Sequence, residues 1–386
     1  MSGRAVTRAV SRAGAGVALR DTAVLLARPA LGLGVAALLL GVLGGLLRVG
    51  LALPGTVAAP VVGHAAVSHA ALMLCAFFGT VIGVERAVAL KHLLAFMPPL
   101  AAGLGGVITL LGQPALGAVY FAIASLLFVA VNVMVLRRQR ASHTVLLLLG
   151  ALAWCAGSLL QLLRPGDPAS LAWWFGFLVL TIAAERLEMT RLMRRRAAAQ
   201  PLLLGVVAGM LGGAALSMAT PAAGGVLYGL SLVALALWLA LFDIARRTVL
   251  AEGLARYMAM CLLAGYAWLA VGGLAWAAHA AGEAALRDTA LHAIGLGFVF
   301  SMVMGHAPVI LPAVARLKLR FSTAFYLPLL LLHASLLLRL AAGAADPQAK
   351  AWGAALNAAA MLVFIVTMVR AVLAWRAAER AGDTTA

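Results

Sequence analysis

The sequence predicts an all-α fold, a polytopic bundle of about twelve transmembrane helices. Hydropathy, the length of the apolar runs and the placement of charge carry that reading. Mean hydropathy is +1.06, 65% of the 386 residues are hydrophobic and only 11% are charged. The apolar runs are about 20 residues long, enough to cross the hydrocarbon of a bilayer as helices. A net charge of +17 raises nucleic acid as a partner. The basic residues, however, sit in short breaks between apolar runs, with no aromatic-interleaved patch or reader motif. They are topology signals, and membrane lipids are the expected surroundings. Cys75, Cys155 and Cys261 fall inside apolar runs without C-x-x-C spacing, which predicts neither a disulfide framework nor a zinc site.

In chain order the spans are expected at roughly 23–47, 61–84, 93–111, 115–136, 144–163, 171–190, 201–219, 222–243, 257–279, 289–312, 322–342 and 351–374. A basic segment, 1–22, precedes the transmembrane domain at 23–375, and a tail, 376–386, follows it. Arg4, Arg8, Arg12 and Arg20 resemble the charged start of a signal peptide. The apolar run behind them is too long for one, so it reads as an uncleaved first helix. With the N-terminus in the cytoplasm, only Arg48, Arg164, Arg287, Arg339 and Lys350 of the 29 Lys and Arg residues fall on the far side. That bias predicts both termini in the cytoplasm, and the expected setting is a bacterial inner membrane. The 40 glycines, as in the runs from Gly32 to Gly45 and from Gly103 to Gly106, read as close helix packing. None sits in a phosphate-cradling pattern.

Spans 2, 6 and 10 share a faint pattern. Phe78-Gly79 precedes Glu85-Arg86, Phe175-Gly176 precedes Glu185-Arg186, and Gly297-Phe298 precedes His306. The spacing of four helices predicts three four-helix units about a pseudo-threefold axis.

The stretch from Arg287 to Arg320 holds His292, Gly295, Gly297, His306, Pro308 and Pro312. A histidine in hydrocarbon is by default a candidate functional residue. His292 and His306 share one face of a straight helix but stand about 20 Å apart in height, too far for one ion. His64, His69, His279 and His333 join His292 in the outer half or middle of the membrane. Counted by helical rise, His69, His292 and His333 come within two to three turns of one another. A neutral imidazole suits haem iron, copper or zinc and brings no charge into the bilayer. Hydrogen-bonded core histidines, or gate residues of a transport path, remain the alternative. Asp288 and Glu283 are placed to orient an imidazole N–H. Glu85, Arg86, Glu185 and Arg186 are adjacent acid–base pairs about 100° apart on their helices, so each is expected to pair with a neighbouring helix. They read as an interhelical clamp or a proton entry. Asp243, followed by Arg246 and Arg247, reads as another lock.

Gly63-His64-Ala65-Ala66-Val67-Ser68-His69 and His292-Ala293-Ile294-Gly295-Leu296-Gly297, on early and late helices of a twelve-span chain, resemble the heme-copper oxidase subunit I superfamily, and more closely its NnrS branch. The resemblance implies haem and copper as cofactors, a link to nitric oxide, and electrons from a quinol or a donor protein. His69, His292, His333 and His64 would then be cofactor ligands, with His279 and His306 as further metal ligands. The chain departs from that pattern in lacking a His-Glu-Met run and paired histidines on a middle span. A proton-coupled secondary transporter and a cofactor-free scaffold remain the other readings.

Overall fold

Backbone polar groups in hydrocarbon must find partners within their own segment, so an apolar chain of this kind becomes helices. The computed structural model describes residues 3–51, 60–190, 197–315 and 317–381, with side chains described from 25 onward except 313–315. The side chains of Arg4, Arg8, Arg12, Arg20 and Arg316, and residues 382–386 of the expected tail, lie outside the described residues. Among the described residues there are 12 helices long and apolar enough to cross a membrane. They are α1 (Leu25–Arg48, within a helix that begins at Gly3), α2 (His69–Leu90), α3 (Leu93–Leu110), α4 (Pro114–Arg138), α5 (Ser142–Leu163) and α6 (Ala169–Met189). Then come α7 (Ala199–Leu216), α8 (Pro221–Phe242), α9 (Gly253–Ala280), α10 (Ala284–Pro312), α11 (Thr323–Ala344) and α12 (Pro347–Arg380). The protein is an integral, polytopic all-α membrane protein.

The helix ends follow local chemistry. Pro114, Pro221 and Pro347 open α4, α8 and α12, where a missing N–H costs nothing. Asp346 caps α12 by accepting from the Gln348 amide at 2.9 Å. Lys91, with φ 53°, ends α2 in the left-handed conformation.

Helices α2, α6 and α10 each touch the other two. Burial agrees with that central position, since 83% of the apolar window of α6 and 67% of that of α2 lie inside the protein, against 33% for α1 and α7. A buried aromatic group fills the middle, with Trp154 stacked on Phe177 at 5.0 Å and Phe128 edge-on to both. Glycines let the outer helices close on this centre. A Cβ at Gly44 of α1 would lie 2.4 Å from the Ala65 carbonyl carbon, and one at Gly353 of α12 would lie 2.6 Å from the Arg339 backbone. The sequence reading of these glycines as packing positions therefore holds there.

Two central helices are not regular. α2 makes a π-helix over Leu72–Phe77 and α10 makes one over Ala293–Phe300. On an unbroken α-helix, sixteen residues separate His69 from Glu85 by about 160° of rotation. A π-turn absorbs roughly one extra residue, so the two come within about 60° of each other. The expectation that His292 and His306 share a face of a straight helix is corrected by the same feature. The eight π-helical residues of α10 lie between them and change their relative direction.

Candidate functional site

The central helices carry polar groups at two levels. The first level lies at the end of the bundle formed by the α1–α2, α3–α4, α5–α6, α9–α10 and α11–α12 connections. A cavity of about 1150 Å³ opens among them, lined by His69, His292, Asp288 and Arg339, and by apolar side chains including Phe78, Phe175 and Phe300. His69 begins α2 and His292 lies on α10, each shortly before a π-helix. Their ring centroids are 6.4 Å apart with an interplanar angle of 26°.

Hydrogen-bond partners fix which nitrogen of each ring carries the proton. His69 Nδ1 donates to the Gly41 carbonyl at 2.7 Å, which leaves the Nε2 lone pair free. That contact needs Gly45 as well, since a Cβ there would lie 2.8 Å from His69 Cε1. His292 Nδ1 faces the Asp288 carbonyl at 3.0 Å and its carboxylate at 3.1 Å, so Nε2 is again the acceptor. Arg339 Nη2 lies 3.1 Å from that Nε2. Arg339 also forks onto Asp288, with Nε to Oδ2 at 3.1 Å and Nη2 to Oδ1 at 3.0 Å. Lys350 adds a third contact to the same carboxylate at 3.6 Å. Asp288 is the expected orienting carboxylate for His292.

The other histidines stand apart from this pair. His333 on α11 accepts the Trp268 indole N–H at its Nδ1, 2.9 Å away, so its own proton sits on a buried Nε2 without a partner. As a neutral ring it therefore offers no lone pair beyond that bond. His64, on a short helix Pro60–Val67 before α2, donates from Nδ1 to the Leu110 carbonyl at 3.0 Å and packs against Gly112. It ties the end of α3 to the α2 entry. His279 closes α9 and does not line the cavity. Among the described residues no three His, Cys, Asp or Glu side chains converge as a metal-ion cluster.

The second level lies at the opposite ends of the central helices. Arg86 of α2 donates to Glu185 of α6 at 2.8 Å and stands 3.8 Å from Glu85. Arg186 approaches Asp243, beyond α8, at 3.6 Å, with side-chain exposures of 5% and 1%. Asp243 also accepts from Tyr266 at 2.9 Å and from the Ala245 amide at 2.7 Å. These pairings cross between helices, as the adjacent acid–base residues predict. At the Asp243 lock the partner is Arg186, while Arg246 donates to the Leu241 carbonyl at 3.0 Å. His306 of α10 donates from Nδ1 to the Met302 carbonyl at 2.7 Å, and its buried Nε2 has no partner. Glu85, Arg186 and Asp243 are its charged neighbours.

Sequence reasoning missed Arg339 as a site residue. It registered, with Arg48, Arg287 and Lys350, only as an exception to the charge bias, and all four line the cavity. Charges that a topology rule leaves over were the available signal.

A search of curated proteins finds no match for this chain. A family model described as a domain of unknown function, DUF8744, matches residues 27–373. That range takes in most of α1, all of α2 to α11 and most of α12, and the chain belongs to that family.

Proposed function

We propose that this protein holds a haem in the cavity between α2 and α10, with His69 and His292 as its protein ligands. The observation that carries the reading is the imidazole pair itself. The two imidazoles, on different helices, stand with ring centres 6.4 Å apart, near enough for both to reach one bound group. Both Nδ1 atoms are committed to oxygen acceptors, as ligating histidines require, and His292 Nε2, which here accepts from Arg339 Nη2 at 3.1 Å, would be freed for iron by that guanidinium moving off the ring. The cavity volume of about 1150 Å³ lies somewhat above the ~300–1000 Å³ usual for cofactor sites. Its walls combine aromatic side chains with Arg48, Arg287, Arg339 and Lys350, which suits a flat apolar group bearing carboxylates.

When bound, haem would supply an iron able to change oxidation state or take a diatomic ligand. The chain's own residues set the rest. Gly41 and Asp288 hold the ring tautomers, Gly45 leaves room for His69, and Arg339 bridges Asp288 to the His292 edge. A copper ion fits this pair less well, because a mononuclear copper site takes more protein ligands than two and no further cluster converges among the described residues.

The resemblance to the NnrS branch supports nitric oxide as the molecule handled and a quinol or donor protein as the electron source. Mutual contact of α2, α6 and α10 supports three four-helix units about a common axis. The charge bias supports an inner-membrane location with cytoplasmic termini. The test is an absorption spectrum of detergent-purified protein, oxidised and then reduced with dithionite, with metal analysis on the same sample. A Soret band that shifts on reduction and weakens in His69→Ala and His292→Ala is expected. Folded protein that stays colourless and iron-free after haem supply overturns the reading. A transporter would then lead, favoured by the interrupted helices α2 and α10 beside a charged cavity.

A further inference from the structure

The level at the other ends of the central helices has two groups that the ion pairs leave unserved. Arg86 is engaged by Glu185 at 2.8 Å, and Arg186 faces Asp243. Glu85 is left with Arg86 at 3.8 Å, beyond hydrogen-bond reach. His306, on the third central helix, has a buried Nε2 lone pair with nothing to accept. Glu85 and His306 are charge neighbours of each other, as are Glu85 and Glu185.

The balance of charge points the same way. Among the described residues, Glu85, Glu185, Glu188 and Asp243 face the guanidiniums of Arg86 and Arg186 across α2, α6 and the end of α8. His143, at the start of α5, stands 4.0 Å from Glu188, and Tyr266 of α9 donates to Asp243. Carboxylates that share a site in a low dielectric cannot all stay ionised without a matching positive charge. A metal ion does not answer the need, since no metal cluster forms among the described residues. A proton does, because it needs only one lone pair at a time.

We propose that Glu85 and Glu185, whose carboxylates share Arg86 Nη2 at 3.8 and 2.8 Å, form a proton-binding site beside His306, filled from the face that carries the helix ends Gly3 and Arg380. Access is already present, for Glu85 and Glu185 keep 26% and 23% of their side-chain surface open. The proton comes from hydronium in the water on that face, one O–H bond breaking there as one forms on a carboxylate. Nothing is oxidised or reduced. Between the levels, Thr80, Thr181 and Ser301 donate to the Pro99, Phe177 and Cys261 carbonyls, and the Phe177 and Phe298 rings are fully buried. With those hydroxyls spent on backbone carbonyls, the proposed site is a proton store, and it stands whether or not the cavity holds a haem.

Infrared spectroscopy of the full-length protein in detergent, titrated in H2O and D2O without added metal or cofactor, tests this. The expected result is a protonated-carboxyl stretch that grows as pH falls, shifts in D2O and disappears in Glu85→Gln or Glu185→Gln. His306→Gln is expected to move its midpoint by about one pH unit or more. Folded wild-type protein with no such band, or a band unmoved by all three substitutions, overturns the proposal. If the glutamate variants fail to fold, the His306→Gln midpoint decides alone.

Discussion

The same three helices build two polar regions of opposite character. The cavity is lined by four cations, the carboxylates Asp167 and Asp288 and the two imidazoles, and Arg339 and Lys350 reach Asp288. At the other ends, carboxylates outnumber guanidiniums among the described residues, and the groups close on one another instead of lining a cavity. The two levels are about 24 Å apart along α2, from sixteen residues of helical rise. The difference teaches that a bilayer-embedded bundle can hold separate electrostatic environments at its two ends when a dry aromatic layer lies between them. A cation-rich cavity is suited to an anionic guest, and an acid-rich closed cluster to a proton.

Substitutions can break that comparison at either end. The largest effect is expected for Asp243→Ala. It would leave the buried Arg186 uncompensated and remove the acceptor of Tyr266, costing about 3–5 kcal/mol. Thermal unfolding in detergent measures it, and a wild-type midpoint would mean that the acid-rich end is not held by its ion pairs. Next comes Gly45→Ala, whose Cβ would meet His69 Cε1 at 2.8 Å. The crowding is expected to cost about 1–3 kcal/mol and to lower the Soret absorbance per folded protein. Absorbance unchanged in this variant would separate His69 from the haem. The smallest effect is expected for Arg164→Ala. Its partner Asp167 is 3.9 Å away and Arg164 is 61% exposed, so the midpoint should stay within about 0.5 kcal/mol of wild type.

The twelve spans were legible because hydropathy is a local property, and each apolar run is long enough to be read alone. The pairing of Arg86 with Glu185 was legible in direction, since neighbours on a helix point apart and must find partners elsewhere. The particular partner was not, because ninety-nine residues separate the two. His333 shows the same limit. Its indole donor, Trp268, lies on another helix and decides the tautomer. The π-helices were illegible for a different reason. Leu72–Phe77 and Ala293–Phe300 are as apolar as their surroundings, so nothing in hydropathy marks one extra residue in a turn. The cavity was hidden behind the topology rule, which filed Arg48, Arg287, Arg339 and Lys350 as noise.

The π-turn in α2 makes the alignment of the two ends depend on chain length rather than on any side chain. Removing one residue from Leu72–Phe77 would let the helix relax to regular α geometry while keeping its hydropathy and its span. Fifteen residues of regular helix would then separate His69 from Glu85, about 60° of rotation, which is the phase the π-turn already sets. Adding one residue there instead, with no second π-turn to absorb it, would turn the halves by about 100° and act as a mechanical uncoupler, a chain that still inserts but whose two ends are out of phase.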